Sequence, residues 1–152
     1  MIPNADITIY NKYTDPSTRN EKYQRSVIQG VVWESTSGSA EAKDWVSGVR
    51  AGKLPRNAAS LFIPITAGTL YVTPIAWQAL TVKTGYWTLQ ADDVIVRGAV
   101  TDEITDAVID PPAPAFTMTD LRAKYENIVG VLAVDLMDRG SIAVRHWAVD
   151  CR

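Results

Sequence analysis

Few residues in this sequence have side chains that could carry catalysis. His146 is the only histidine, so a Ser-His-Asp triad or a histidine-ligated metal would have to use it. It stands between Arg145 and Trp147 in an alternating segment, which favours a strand residue over a catalytic one. Cys151, the only cysteine, has no base beside it in the sequence. We therefore expect no nucleophilic thiol.

Asp92 and Asp93 are neighbouring carboxylates that allow two interpretations. Two close carboxylates can act as general acid and base, or they can ligate a metal. Aspartate is also common in turns, where its side chain bonds to nearby backbone groups. No EF-hand spacing and no glycine-rich phosphate loop accompanies the pair. The turn is favoured, and we predict a protein without catalytic residues, metal ligands or cofactor.

Two charged segments of opposite sign are the remaining candidates for binding. The basic one contains Arg50, Lys53 and Arg56 without an intervening acid, and Trp45 precedes it. The acidic one contains Asp102, Glu103, Asp106 and Asp110. Three cations are too few to predict a nucleic-acid site, so ordinary surface charge or a protein contact is favoured. If it is a contact, the acidic segment can meet the basic segment of a neighbouring copy.

Composition limits the class of protein. The chain has 152 residues, of which 47% are apolar and 21% charged, and its net charge is −2. This predicts one globular domain over residues 1–152, with no global attraction to nucleic acid or anionic membranes. A single cysteine excludes a disulfide framework. No apolar run approaches the roughly 20 residues that span a bilayer, and no signal-peptide pattern opens the sequence, so we expect a soluble intracellular product.

Short apolar segments separated by turn residues predict a mainly β fold. The central stretch, residues 85–100, predicts two strands that meet in a turn at residues 90–93. Further strands are predicted over residues 7–10, 23–33, 59–66, 128–137 and 142–149. Thr73-Pro74 predicts a helix over residues 75–81, and a capping box of Thr117 and Asp120 predicts another over residues 121–126. We expect a small antiparallel β-barrel, or a sandwich, with one or two short helices.

Two connections are long. Residues 34–58 are rich in Ser, Gly and Ala and show no hydrophobic period, so they predict an inserted loop. Residues 101–116 predict an acidic and proline-rich loop. The sequence also holds 5 tryptophans and 6 tyrosines. These aromatic residues suit a subunit interface and a small β core equally well.

Several stretches resemble the head-closure, or stopper, proteins in the neck of tailed phages and prophages of Gram-positive bacteria. The resemblance rests on ITIYNKY (residues 7–13), YQRSVIQGVVW (23–33), YVTP (71–74), GYWTLQ (85–90), DVIVRG (93–98) and RHWAV (145–149). These are strand patterns whose order and spacing cover most of the chain. Residues 34–57 and 110–114 carry no part of the resemblance.

The resemblance implies a β-barrel subunit of a homo-oligomeric ring, hexameric or dodecameric, in the virion neck. The ring would lie between the adaptor and portal above and the tail terminator or tail tube below. It would help to retain packaged DNA, which passes through the lumen without sequence-specific contacts, and it would dock the tail. Trp45 and the residues Arg50, Lys53 and Arg56 then become candidates for lumen or subunit contact. One alternative is a tail terminator or other head–tail joining protein. Others, of a non-viral class, are a hydrolase or carbohydrate-binding module that uses Asp92, Asp93 and exposed tryptophans, and a soluble β domain that binds a host protein.

Overall fold

The computed structural model describes residues 2–35 and 58–152. This part of the chain holds six β-strands, two short α-helices and one turn of 3₁₀-helix. The strands are β1 (Ala5–Thr14), β2 (Glu21–Ser35), β3 (Ala59–Pro64), β4 (Val94–Arg97), β5 (Ile128–Met137) and β6 (His146–Cys151). The helices are α1 (Pro74–Ala79) and α2 (Met118–Lys124), and the 3₁₀ turn is Ile65–Ala67.

The six strands form a closed antiparallel barrel in the order β1-β2-β3-β6-β5-β4. Strand β1 pairs with β2 over its whole length and with β4 over Ile7–Tyr10, which closes the ring. Strand β6 lies between β3 and β5. The predicted mainly β fold with few helices is confirmed. Closure satisfies backbone groups that an open sheet would leave unpaired at its edges.

The barrel core follows the strand period of two. In β3, Ala59, Leu61 and Ile63 are buried while the residues between them are partly exposed. Trp87 and Trp147 pack edge to face with ring centroids 5.8 Å apart. The four tryptophans in the described residues are all buried, namely Trp33, Trp77, Trp87 and Trp147. Trp33, Trp87 and Trp147 belong to the β core, as one of the two interpretations expected, whereas Trp77 of α1 packs edge to face on Tyr13 outside that core.

The predicted central hairpin is wrong in its first half. Val94–Arg97 is a strand, but residues 86–89 form no strand. The carboxamide of Asn11 takes the place of a neighbouring strand: it donates to Thr88 C=O at 2.8 Å and accepts from Thr88 N–H at 3.2 Å. Trp87 N–H donates to Leu70 C=O at 3.2 Å. These contacts satisfy backbone N–H and C=O groups of the segment without pairing to a β-strand. Sequence periodicity does not reveal them, because they depend on residues that are distant in the chain.

Both helices are present with shifted bounds. Helix α1 begins at Pro74, where the missing N–H is harmless, and ends at Ala79 rather than residue 81. Helix α2 opens with the predicted capping box, in which Thr117 accepts from the backbone of Asp120 and Asp120 accepts from the backbone of Thr117. Its first residue is Met118 and its last is Lys124, so the prediction of residues 121–126 placed it too late.

Several strand bounds also differ from prediction. Strand β2 extends from Glu21 to Ser35 rather than over residues 23–33, and β3 ends at Pro64 rather than at residue 66. Strand β1 continues to Thr14, beyond the predicted end at residue 10, although most of the added residues are polar. Asn11 in this continuation is fully buried by the contacts described above. Strand β6 begins at His146 rather than residue 142, since residues 142–144 form a turn in which Val144 N–H donates to Ser141 C=O at 3.0 Å.

The long predicted loop joins neighbouring strands. Ser35, the last residue of β2, and Ala59, the first of β3, are partners in the β2–β3 ladder. The chain therefore leaves and re-enters the barrel at one point. Trp45, Arg50, Lys53 and Arg56 lie outside the described residues, so their predicted contacts stay predictions.

Candidate functional site

Asp93 is a buried structural carboxylate. Its oxygens accept four hydrogen bonds, from Asn11 Nδ2 at 2.6 Å, Lys12 N at 2.9 Å, Gln90 Nε2 at 3.0 Å and Gln90 N at 3.2 Å. Burial raises its pKa to about 6, against the lowering effect of these donors. Asp92 is exposed and has φ 72°. The two carboxylates therefore occupy different environments. Asp93 lies in a turn that its hydrogen bonds to Asn11 and Lys12 connect to β1.

Within the described residues, neither His146 nor Cys151 lies in a cluster of side chains that could act together in catalysis. His146 Nδ1 lies 2.8 Å from Val144 O, and its ring packs edge to face on Phe62. Cys151 is buried in β6, and burial raises the pKa of its thiol to about 12. The thiolate is therefore scarce at neutral pH. Within residues 2–35 and 58–152, no group of three or more His, Cys, Asp or Glu side chains could hold a metal ion.

Asp102 fastens the acidic segment to the barrel. Its carboxylate lies 2.8 Å from Lys124 Nζ and accepts from Tyr125 Oη. The bonds from Lys124 and Tyr125 lower its pKa. Its backbone carbonyl accepts at 2.6 Å from the hydroxyl of Tyr10, a fully buried residue of β1. Asp102 is thus bound to its own chain at both its carboxylate and its carbonyl.

Two further acidic residues face cations of the same chain. Glu103 Oε1 lies 3.6 Å from Arg25 Nε, and Asp106 Oδ2 lies 3.9 Å from Lys22 Nζ. Both cations belong to β2. Asp110 is exposed. The predicted acidic patch therefore lies on the surface, but three of its four carboxylates, Asp102 included, already have a partner within the chain. A contact with a neighbouring copy would have to compete with these ion pairs.

An open groove runs beside the middle of β2. It has a volume of about 510 Å³ and is lined by Arg25–Gln29 of β2 and, across from them, by Thr66–Leu70 without Gly68 and by Gly85 and Trp87. We call it the β2 groove. Val27 and Leu70 on its walls are 40% and 51% exposed. Exposed apolar side chains beside a strand offer a surface for a protein segment rather than for a reacting group.

The second unusual surface is the outer end of the β5–β6 hairpin. Leu132, Leu136, Met137, Ile142 and Val144 are all exposed there, by 46–63%. A shallow cavity of about 540 Å³ lies among Leu136, Met137, Val144 and the neighbouring polar residues. We call these five side chains the hairpin surface. Asp138 and Arg145 form an ion pair of 3.3 Å at its rim. An apolar surface with a charged rim is typical of protein interaction sites.

The chain belongs to the family described as "Family of unknown function (DUF6751)", which matches residues 2–152. The chain matches no curated protein and no solved structure. In the described ranges, no helix is long and apolar enough to cross a membrane.

Sequence reasoning missed both apolar surfaces. The β2 groove depends on where β3 stops pairing with β2, which has no local signal in the sequence. The hairpin surface did carry a signal, because Leu132, Leu136 and Met137 include residues of both parities in one strand. Antiparallel sheets commonly expose one face to solvent. Apolar residues of both parities in one strand can therefore indicate that the second face is covered by another protein surface.

Proposed function

We propose that this chain is a structural protein of a tailed-phage or prophage neck, a ring-forming head-closure subunit between adaptor or portal and tail. In this role it is part of the virion, helps to retain packaged DNA and offers the tail a docking surface. The observation that carries the proposal is that the stretches behind the family resemblance coincide with the parts that build the barrel.

Four of the six resembling stretches lie on barrel strands, and none of them covers β3 or β5. The stretch 7–13 lies in β1, 23–33 in β2, 93–98 covers β4 and 145–149 covers most of β6. The stretches 71–74 and 85–90 meet through a bridge between Tyr71 and Trp87. Segments that are distant in the sequence thus contact one another in one core. A resemblance spread over such segments supports a shared fold more strongly than one confined to a single strand.

The surfaces of the described residues suit an assembly component. The groups that could do chemistry are tied to structural partners, as the four bonds to Asp93 illustrate. The β2 groove and the hairpin surface expose apolar side chains at two different places. A subunit of a closed ring needs two different patches that complement each other.

The test is the mass of the purified full-length protein by light scattering, alone and with purified neck and tail components. Head closure predicts a complex with the portal–adaptor assembly. A ring that forms alone and prefers the tail tube would instead identify a tail terminator. A chain that binds neither would contradict the neck function and would direct the search to a ligand of the β domain.

Charge reversal tests the predicted electrostatic contact between neighbours. The triple variant Arg50→Glu, Lys53→Glu and Arg56→Glu should weaken ring assembly and DNA retention if these cations meet carboxylates of the next copy. A matched variant reverses Arg19, Arg122 and Arg152, which lie outside the segment and outside the hairpin surface. Unchanged assembly in the first variant would remove the contact from the proposal.

A further inference from the structure

Strand β2 has one free edge. It pairs with β1 from Glu21 to Val31 but with β3 only from Val32 to Ser35. Among residues 2–35 and 58–152, no strand pairs over residues 25–29 with the side of β2 that faces away from β1, and this side is the wall of the β2 groove. The barrel is closed, yet this stretch offers an unpaired strand edge to an extended segment.

The ladder shows which backbone groups of β2 point into the groove. Alternate residues of an antiparallel strand direct both their N–H and C=O to the same neighbour. On β1, Asp6 C=O accepts from Gly98 N–H on the β4 side, so the odd-numbered residues of β1 face β2. Ile7 pairs with Ile28, so the even-numbered residues of β2 bond to β1. The backbone groups that point into the groove belong to Arg25, Val27 and Gln29, and of these the C=O of Arg25 accepts from Gln24 Nε2 at 3.3 Å.

In the part of the chain that the structure describes, one edge of strand β5 is also unpaired over its second half. It pairs with β4 only over Ile128–Gly130, whereas it pairs with β6 as far as Met137. Arg145 C=O accepts from Ile65 N–H on the β3 side, so the even-numbered residues of β6 face β5. Asp135 pairs with Ala148 and uses its backbone groups there. The backbone groups of Val134 and Leu136 therefore point outward, beside the hairpin surface.

The two edges fit each other. Both are open over about five residues, and both carry exposed apolar side chains, Val27 on one and Leu136 on the other. In an antiparallel pair that sets Val27 opposite Leu136, Arg25 lies opposite Asp138, on the same face as the two apolar side chains. Arg25 lies 3.6 Å from Glu103 and Asp138 lies 3.3 Å from Arg145 of the same chain, so an ion pair between copies would compete with these two. Opposite charges across a strand pair favour the contact, while like charges oppose it.

We propose that the free edge of β5 in one copy of this chain adds as a strand to the free edge of β2 in a second copy. Main-chain hydrogen bonds supply the contact, and Val27 and Leu136 pack on each other across it. Because the two edges differ, each copy has one of each left over, and successive contacts build a ring or an open filament rather than a twofold dimer. Closure into a ring rests on the proposed neck function, whereas the contact itself rests on the two edges.

Cysteine cross-linking tests the contact in the full-length protein at high concentration. Val27→Cys and Leu136→Cys are made as separate variants, mixed, and treated with a short bifunctional maleimide. The native Cys151 is buried, so the wild-type chain is the unreactive control. We expect dimers between the two variants to exceed those of either variant alone at least tenfold. The double variant should form a ladder of higher oligomers.

Proline substitution tests the backbone part of the contact. Val134→Pro, added to the Leu136→Cys variant, removes an outward N–H that no described residue accepts, so the barrel should stay folded while cross-linking to Val27→Cys is lost. A mixture of Val27→Cys with Arg122→Cys, on α2, controls for random collisions. Cross-linking no stronger than this control, or only between identical variants, would overturn the proposed contact.

The outcomes separate this contact from the neck function. A ladder together with failure to bind the portal–adaptor assembly would contradict the neck function and leave the strand contact standing. Binding to that assembly without cross-links between Val27→Cys and Leu136→Cys would contradict the strand contact and leave the neck function standing.

Discussion

The single residue with the largest predicted effect on pH dependence is Asp93. Its folded-state pKa of about 6 lies above its usual value of 3.8 because the carboxylate is buried. At pH values between 3.8 and about 6, Asp93 is protonated in the folded protein and ionised in the unfolded chain. The stabilisation from this proton is complete below about pH 4 and is lost as the pH rises through 6, a change of about 3 kcal/mol at 1.36 kcal/mol per pKa unit.

We predict that Asp93→Asn removes this part of the pH dependence. The variant should also be less stable than wild type at pH 4, because an amide N–H₂ would face the donors of Asn11 or Gln90. Urea unfolding at pH 4, 5, 6 and 7 measures both effects. Asp92→Asn is the control, since Asp92 is exposed and asparagine tolerates its positive φ. An equal pH slope in wild type and Asp93→Asn would contradict the assignment.

Gly68 is required by packing rather than by backbone conformation. Its φ is −92°, which any residue adopts, but a Cβ there would lie 2.5 Å from Trp147 Cη2. The ring of Trp147 has little room to move because the ring of Tyr71 packs against it, with the two ring centroids 4.5 Å apart. We predict that Gly68→Ala destabilises the fold by about 1–3 kcal/mol.

The matched control for Gly68 is Gly130→Ala. A Cβ at residue 130 would meet Arg152 O at 3.7 Å, an ordinary contact. Chemical denaturation of both variants measures the difference in the free energy of unfolding. If Gly130→Ala were destabilised as much as Gly68→Ala, crowding against Trp147 would not be the cause.

At the scale of elements, β5 serves two different purposes along its length. Its first residues are partly buried between β4 and β6, whereas its last six, except Val134, are exposed. The alternation of bonded and free backbone groups in this second half predicts opposite effects of proline at adjacent positions. Asp135→Pro removes an N–H that bonds to β6 and leaves its acceptor unpaired, which should cost about 1–3 kcal/mol. Leu136→Pro removes a free N–H and should change stability by less than about 1 kcal/mol.

Thermal unfolding of the two proline variants checks this alternation. The measurement is independent of oligomerisation when it is made at low protein concentration. Equal destabilisation by both substitutions would mean that Leu136 N–H is bonded within the fold, and that the outer edge of β5 is not free.

At the scale of the whole molecule, the barrel should tolerate a shorter β2–β3 connection. Ser35 and Ala59 are ladder partners, so the ends of the connection are already together. Deleting residues 37–48 roughly halves the loop, which changes the closure entropy by only about 0.6 kcal/mol. We expect an unchanged circular dichroism spectrum and urea midpoint, with impaired DNA retention or docking if the neck function is correct. A clearly destabilised monomer would show that the deleted residues belong to the core.

The sequence by itself determined the class of fold and most of the strands. Period-two alternation places β2, β3 and β6, and the Thr117–Asp120 capping box locates α2, because local sterics and hydrogen bonds decide these features. Isolated Asp, His and Cys residues also pointed away from a conventional catalytic site. The candidate contact residues Trp45, Arg50, Lys53 and Arg56 were predicted from charge and composition, which say nothing about where a loop lies.

Tertiary structure alone decided the features that depend on distant partners. Asn11 is buried because Thr88 and Asp93 accept or donate to its carboxamide, across some 80 residues of sequence. The free edges of β2 and β5 exist because β3 and β4 are shorter than the strands they pair with. A residue's neighbours in a sheet are set by register and by the closing of the barrel, and neither is encoded in the local pattern of apolar and polar side chains.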